Sequence, residues 1–268
     1  MTNEDETPGN EAILLRQDEN SIATLTLNRP EKYNALSTEL MDLIQQELDK
    51  LAADTSIRAV VIAANGKAFC AGHDLREMSD DPSSEAIQAL FDQCSRMMVS
   101  LTQLPQPVIA RVHGIATAAG CQLVAQCDLA VAAHDVRFAT SGINVGLFCG
   151  TPMVAVTRNL PRKQAMEMLL TGESIDAATA ERYGLINKAV AAAKLDDAVR
   201  ELAETVVSKG PVFIAAGKRL FYHQIENRLA NAYQEATRTM VENMQHDDAR
   251  DGINAFLDKR DMPDWQDR

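Results

Sequence analysis

Two short segments of this 268-residue chain place small residues where the backbone itself can act as a catalyst. The first is Ala68-Phe69-Cys70-Ala71-Gly72-His73-Asp74-Leu75. The second, roughly forty residues on, is His113-Gly114-Ile115-Ala116-Thr117-Ala118-Ala119-Gly120-Cys121-Gln122-Leu123. Each follows a short apolar, strand-like run and leads towards a helix, so each can present main-chain N–H groups in one direction at a helix N-terminus. Two such donors make an oxyanion hole, which holds the negative charge that develops on a carbonyl oxygen. Side chains nearby set what else is possible. His73 reads as an acid or base, since an unperturbed imidazole titrates near pH 6.5, or else as a group that merely lines a pocket. Gln122 gives and accepts hydrogen bonds but does not ionise. Cys149, in Phe148-Cys149-Gly150-Thr151 near an expected helix start, is either a thiol of lowered pKa serving as proton carrier or nucleophile, or a small buried residue.

On these loops the chain resembles the crotonase superfamily, the enoyl-CoA hydratase/isomerase family. The resemblance runs over roughly residues 12–260 and includes Asn28-Arg29-Pro30 with Asn34-Ala35-Leu36, and Leu170-Thr171-Gly172-Glu173-Ser174-Ile175-Asp176-Ala177 with Tyr183-Gly184-Leu185-Ile186. It ends in Gly252-Ile253-Asn254-Ala255-Phe256-Leu257-Asp258-Lys259-Arg260. It implies an α/β chain: a crotonase-like (ββα) spiral with a C-terminal helical trimerisation region. It implies an acyl-CoA thioester as substrate, its carbonyl oxygen held by the backbone N–H groups of His73 and Ala119, with no cofactor beyond the CoA of the substrate. The two glutamates that hydratases of the family use fall on Gln122 and Gly142, and neither residue can take or give a proton at neutral pH. Ser141 and Asn144 are the polar residues left around the second position. A further carboxylate position of some members falls on Gly150, beside Cys149, whereas Asp74 matches a residue that recurs regardless of reaction and so reads as structural. For CoA the matching cations are Arg29 or Lys32, Arg76, and Lys259 from a neighbouring subunit. Taken singly, each is an ordinary solvated charge.

The resemblance therefore implies an acyl-CoA-processing enzyme of the lyase or isomerase class in which efficient hydration is not expected. An acyl-CoA decarboxylase or thioester hydrolase, and a non-catalytic acyl-CoA-binding protein, are the alternatives. A homotrimer or hexamer is implied as well.

The loops need elements to hold them. Ile22-Ala23-Thr24-Leu25-Thr26-Leu27 alternates as a half-buried strand, and Asn28-Arg29-Pro30 ends it. Ser37 is placed to cap a helix bearing Leu40, Met41, Ile44, Leu48 and Leu51 on one stripe. Ala59-Val60-Val61-Ile62-Ala63 is a buried strand feeding the first loop. A helix-spaced run from Ile87 through Phe91 and Met98 to Leu104 stops at Pro105 and Pro107, and Val108-Ile109-Ala110-Arg111-Val112 feeds the second loop. Leu129-Ala130-Val131-Ala132 and Val136-Arg137-Phe138 are short strands, and beyond about Leu147 the pattern is helical. The expected organisation is a polar tail at 1–10, a spiral core with the acyl-CoA pocket at 11–195 and a helical oligomerisation region at 196–268.

Composition sets outer limits. The chain is 46% hydrophobic and 24% charged, ordinary for a globular protein with one substantial core. Its net charge of −12 disfavours nucleic acid and gives no general attraction to a polyphosphate, so any CoA contact must be a local basic cluster. No apolar run approaches the ~18 residues of a membrane span. The start, Met1-Thr2-Asn3-Glu4-Asp5-Glu6, is acidic and unlike a secretory or mitochondrial leader, so a cytoplasmic protein is expected. Cys70, Cys94, Cys121, Cys127 and Cys149 form no C-x-x-C pair, against a disulfide framework or zinc site.

Overall fold

In the computed structural model of the chain the described residues are 12–265. The polar tail expected at 1–10 lies outside them. The chain opens with β1 (Leu14–Glu19) and β2 (Ile22–Leu27), an antiparallel hairpin whose turn residues Asn20 and Ser21 have φ of 51° and 61°. Positive φ at both turn positions is what a tight two-residue hairpin demands. Ser37 then caps α1 (Thr38–Ala53), its hydroxyl accepting from the Leu40 N–H, and the helix buries Leu40, Met41, Ile44, Leu48 and Leu51.

From β3 (Ala59–Ala64) the chain repeats one unit of longer strand, shorter strand and helix. The first repeat is β3, β4 (Ala68–Cys70), α2 (Leu75–Asp80) and α3 (Ser84–Gln103). The second is β5 (Val108–Val112), β6 (Ile115–Thr117) and α4 (Ala119–Gln126). The third is β7 (Leu129–Ala133), β8 (Arg137–Ala139), α5 (Gly150–Asn159) and α6 (Arg162–Thr171). Next come β9 (Ile175–Asp176), α7 (Ala177–Tyr183) and β10 (Lys188–Val190), two short strands within the stretch expected to be helical. The longer strands, with the short β10 at the edge, join one sheet in the order β1-β2-β3-β5-β7-β10, parallel except for the opening hairpin, and the other short ones join a second, β4-β6-β8-β9. A chain that gives alternate strands to two sheets advances as a spiral, which is the (ββα) architecture the resemblance implies.

Residues that read as strands by their unbroken apolar runs are the central ones, because a parallel sheet covered on both faces buries every side chain. All six residues of β3 are buried. One face is covered by α1 and by α3, which buries Leu90, Cys94, Met97, Met98 and Leu101. The five cysteines are free and buried.

After β10, α8 (Leu195–Val207) packs against β3, β5 and β7 through Leu195, Val199 and Ala203, so the start of the C-terminal region lies on the sheet. Beyond it α9 (Pro211–Gln224) buries no residue fully, α10 (Leu229–Gln245) buries Ala232 and Thr239, and α11 (Asp247–Leu257) buries Gly252 and Ala255. One buried cation moors this arm. Lys218 of α9 lies 2.6 Å from Asp128 Oδ2 and donates to the carbonyls of Leu101 and Gln106 at 2.8 and 2.9 Å, while Tyr222 donates to Asp128 Oδ1 at 2.8 Å. A buried charge is tolerated when it is paired and fully hydrogen-bonded in this way.

Candidate functional site

The two motif loops meet because glycines let their backbones touch. A Cβ on Gly114 would stand 2.5 Å from Lys67 O, and one on Gly120 would stand 2.1 Å from Cys70 O. These contacts carry the β4–β6 pairing onward, so α4 starts against the end of β4. Gly72 is the third contact, with φ of +100°, and a Cβ there would crowd Ala118 Cβ at 3.0 Å and Ala119 N at 3.4 Å.

Each loop frees one N–H. Leu36 N donates to Gly72 O at 2.7 Å and Asp74 N donates to Leu36 O at 3.0 Å, a parallel bridge that uses the neighbours of His73 and turns its own N–H the other way. In the second loop Ala118 has φ 50° and ψ −120°, its N–H donates to Ala139 O at 2.9 Å, and α4 begins at Ala119. The Ala119 N–H therefore belongs to the first helical turn, whose donors have no partner within the helix. Among the described residues neither the His73 nor the Ala119 N–H is bonded to another protein group, and both residues line one cavity of about 340 Å³.

Among the described residues the cavity wall is otherwise uncharged and mostly apolar, with the hydroxyls of Ser141 and Thr151 as its polar side chains beside the Cys149 thiol. Ser141 Oγ shares a 2.5 Å hydrogen bond with Thr117 Oγ1 at its edge. Burial pushes His73 down to about 4, so its imidazole is neutral at pH 7. The ring stands edge-on to Phe91 with centroids 5.2 Å apart, and Nε2 is buried without a partner. Burial raises the Cys149 thiol above its ordinary pKa, opposed only by the Gly142 N–H that donates to Sγ at 3.3 Å. The lowered thiol pKa expected from a helix start is thus corrected: Cys149 stands at the N-cap position of α5 without a side-chain cap hydrogen bond, and burial sets the direction of its shift.

The glutamate positions differ from one another. Gly142 lines the cavity, yet a Cβ on it would lie 2.4 Å from Leu147 O and 2.8 Å from Cys149 Sγ, so the thiol stands where a side chain at 142 would begin. Gln122 is only 4% exposed, makes no hydrogen bond to a described group through its side chain, and leaves Oε1 buried and unpaired. It sits one turn after Ala119 on α4, and it is not among the residues that line the cavity. Asn144 Nδ2 reaches Gly172 O at 3.4 Å and is spent on the loop.

The basic set is divided by the fold. Arg29 donates to Ala35 O at 2.8 Å and lies 3.3 Å from Asp74 Oδ2, the two side chains 15% and 14% exposed. Asp74 also caps α2 by accepting from Arg76 N at 3.2 Å, which bears out its structural reading. Of the expected CoA cations Arg29 is therefore committed to an internal pair, whereas Lys32, Arg76 and Lys259 are exposed. Arg76 follows Leu75, a lining residue; Lys259, at φ 55°, ends α11. Reading the sequence missed Leu75, Met78 and Phe91 as lining residues; the available signal for the first two was the i, i+3 apolar pair on an otherwise polar short helix directly after the first donor.

With this geometry in hand, likeness to known proteins is informative. The sequence profile of the enoyl-CoA hydratase/isomerase family matches residues 17–268. The chain is 41% identical over 253 residues to the mitochondrial enoyl-CoA hydratase domain-containing protein 3 of Xenopus laevis, covering 94% of this chain and 86% of that protein. A crystal structure of an enoyl-CoA hydratase from Mycobacterium smegmatis is 53% identical, with a TM-score of 0.94 over 95% of this chain and 99% of that one. The human enoyl coenzyme A hydratase domain-containing protein 3 is 39% identical, with a TM-score of 0.91 over 94% and 100%.

Proposed function

The chain belongs to the enoyl-CoA hydratase/isomerase family, and on that premise we propose that it processes acyl-CoA thioesters by polarising the thioester carbonyl and stabilising an enolate-like intermediate. The observation that carries this reading is the pair of unbonded main-chain donors, His73 N–H and Ala119 N–H, on one apolar cavity. In a water-poor site a donor of this kind contributes about 3–4 kcal/mol to the transition state. Donors fixed by backbone need no reorganisation when charge develops.

Proton transfer is the weak part of the site. Among the described residues no carboxylate lines the cavity, His73 is neutral, and Cys149 holds its proton. The Cys149 thiol lies against position 142, and delivery of a proton there is the catalytic role proposed for it. Gln122 does not ionise, and it stands behind the cavity lining rather than in it. General acid–base groups typically contribute about 10²–10⁴ in rate, so hydration of a crotonyl thioester is slow. The same absence favours the first half of a second reading, an acyl-CoA decarboxylase or thioester hydrolase, because loss of a carboxylate from the substrate needs enolate stabilisation and no protein base, whereas hydrolysis needs an activated water as hydration does. An acyl-CoA-binding protein without turnover is the third.

The CoA diphosphate is proposed to lie near Arg76 and Lys32, with Lys259 supplied by a neighbouring copy in a homotrimer or hexamer. Support for assembly comes from the C-terminal arm, where Leu229 is 74%, Tyr233 69% and Phe256 72% exposed. No helix among the described residues is long and apolar enough to cross a membrane. A cytoplasmic setting stays part of the proposal; the name of the Xenopus relative places that protein in mitochondria. Incubation with a panel of CoA thioesters followed by mass spectrometry tests the reading. Conversion of at least one thioester supports an enzyme, and binding without conversion of any supports the acyl-CoA-binding alternative.

A further inference from the structure

The cavity that holds the two donors does not close around a small acyl group. It opens as a slot between α2 and the loop 142–149, with Leu75, Met78 and Phe91 on one side and Val145, Leu147 and Phe148 on the other. Four of these are left in water: Val145 is 68% exposed, Leu75 57%, Leu147 42% and Phe148 41%. The exposure is built in, because the loop is tied to itself by Leu147 N to Gly142 O at 3.0 Å, Gly146 N to Ile143 O at 3.1 Å and Gly142 N to Cys149 Sγ at 3.3 Å. No Asp, Glu, Lys or Arg lines the slot. Apolar side chains such as these fit an apolar chain between them better than a charged one, although Ser141 and Thr151 also line the cavity.

Resting on the reading that this cavity binds a CoA thioester, we propose that its substrates are medium- or long-chain aliphatic acyl-CoAs, whose chain runs from the His73 and Ala119 donors out through the slot. A two- to four-carbon acyl group leaves the rim residues uncovered, whereas a chain of about eight carbons or more covers them. Continuity decides the occupant: the apolar rim and the donors belong to one cavity, so a chain attached to the bound carbonyl is already at the slot. Each methylene that leaves water tightens binding by up to about fourfold.

The test is calorimetric titration of the full-length protein with non-hydrolysable thioether analogues of butanoyl-CoA and octanoyl-CoA, in the natural sequence and in Val145→Ser, a surface change that leaves the core intact. The octanoyl analogue is expected to bind at least tenfold tighter than the butanoyl one, and Val145→Ser is expected to weaken only the octanoyl analogue, by about threefold. Equal affinity for the two analogues, or an equal loss for both in Val145→Ser, overturns the proposal while leaving thioester binding in place. A slot covered by a second copy gives equal affinities together with weaker self-association in Val145→Ser, which also overturns it. Absence of binding by either analogue overturns the thioester reading itself.

Discussion

Restoring a glutamate at position 142 should not restore hydration, because the backbone has closed over the place where its side chain would start. An ideal Cβ on Gly142 would stand 2.4 Å from Leu147 O and 2.8 Å from Cys149 Sγ, inside the 3.0 Å that real Cβ contacts essentially never breach. The carbonyl cannot swing aside freely, since Leu147 N–H is bonded to Gly142 O at 3.0 Å and the Gly142 N–H to Cys149 Sγ at 3.3 Å. Overpacking costs about 1–3 kcal/mol and a lost hydrogen bond about 1 more. For a chain of this size that lowers Tm by roughly 5–15 °C. Gly142→Ala isolates this steric cost, and Gly142→Glu adds the charge. Gln122→Glu does not rescue the pair: at 4% exposure and without a bonded partner, burial raises its carboxyl pKa and keeps it protonated. Scanning calorimetry of Gly142→Ala, and loss of crotonyl-CoA absorbance with Gln122→Glu/Gly142→Glu, are the assays. A Gly142→Ala protein with unchanged Tm, or a double variant that hydrates crotonyl-CoA efficiently, would refute the reasoning.

Ala118 holds φ of 50° with ψ −120°, a conformation glycine adopts at little cost, so Ala118→Gly should stabilise the fold by about 1 kcal/mol; an unchanged or lowered urea midpoint would contradict this. His73 titrates at about 4 in the fold against about 6.5 in the unfolded chain, so its contribution is complete above pH 6.5 and falls by roughly 3 kcal/mol as the pH drops to 4. Urea unfolding at pH 7.5 and 4.5 should show this acid-side loss in the natural sequence and a smaller one in His73→Leu, with equal losses counting against a buried neutral imidazole. Arg29→Met leaves Asp74 without its cation and should cost about 2–3 kcal/mol while leaving CoA affinity unchanged; a selective loss of CoA binding in folded protein would return Arg29 to the ligand site.

Long apolar runs were legible in the sequence because burial on both faces leaves an unmistakable pattern: β3, β5 and β7 fall where Ala59–Ala63, Val108–Val112 and Leu129–Ala132 place them. Ser37 and its helix were equally clear, since a cap and a stripe are local features. Of the second sheet only β8 was legible, as Val136–Phe138, because β4 and β6 are three residues each and gain their strand character from partners across long sequence separations. β1 escaped notice as an exposed edge strand with little apolar alternation. In the site, the main-chain donors were readable through the loops that carry them. Arg29 was not, because its partner Asp74 is 45 residues away. Nor was the direction of the Cys149 shift, in which burial outweighs the hydrogen bond from the Gly142 N–H, a balance that only packing reveals.

The central claim is that the His73 and Ala119 N–H groups hold a thioester oxygen, and the carbonyl itself reports it. Infrared difference spectroscopy of butanoyl-CoA carrying a ¹³C label at the thioester carbonyl, bound to the protein in excess, reads that bond without turnover. Two backbone donors withdraw electron density from the C=O bond, so the account expects the labelled stretch at clearly lower wavenumber than in water. A bound thioester whose carbonyl stretch stays at or above its value in water would contradict it.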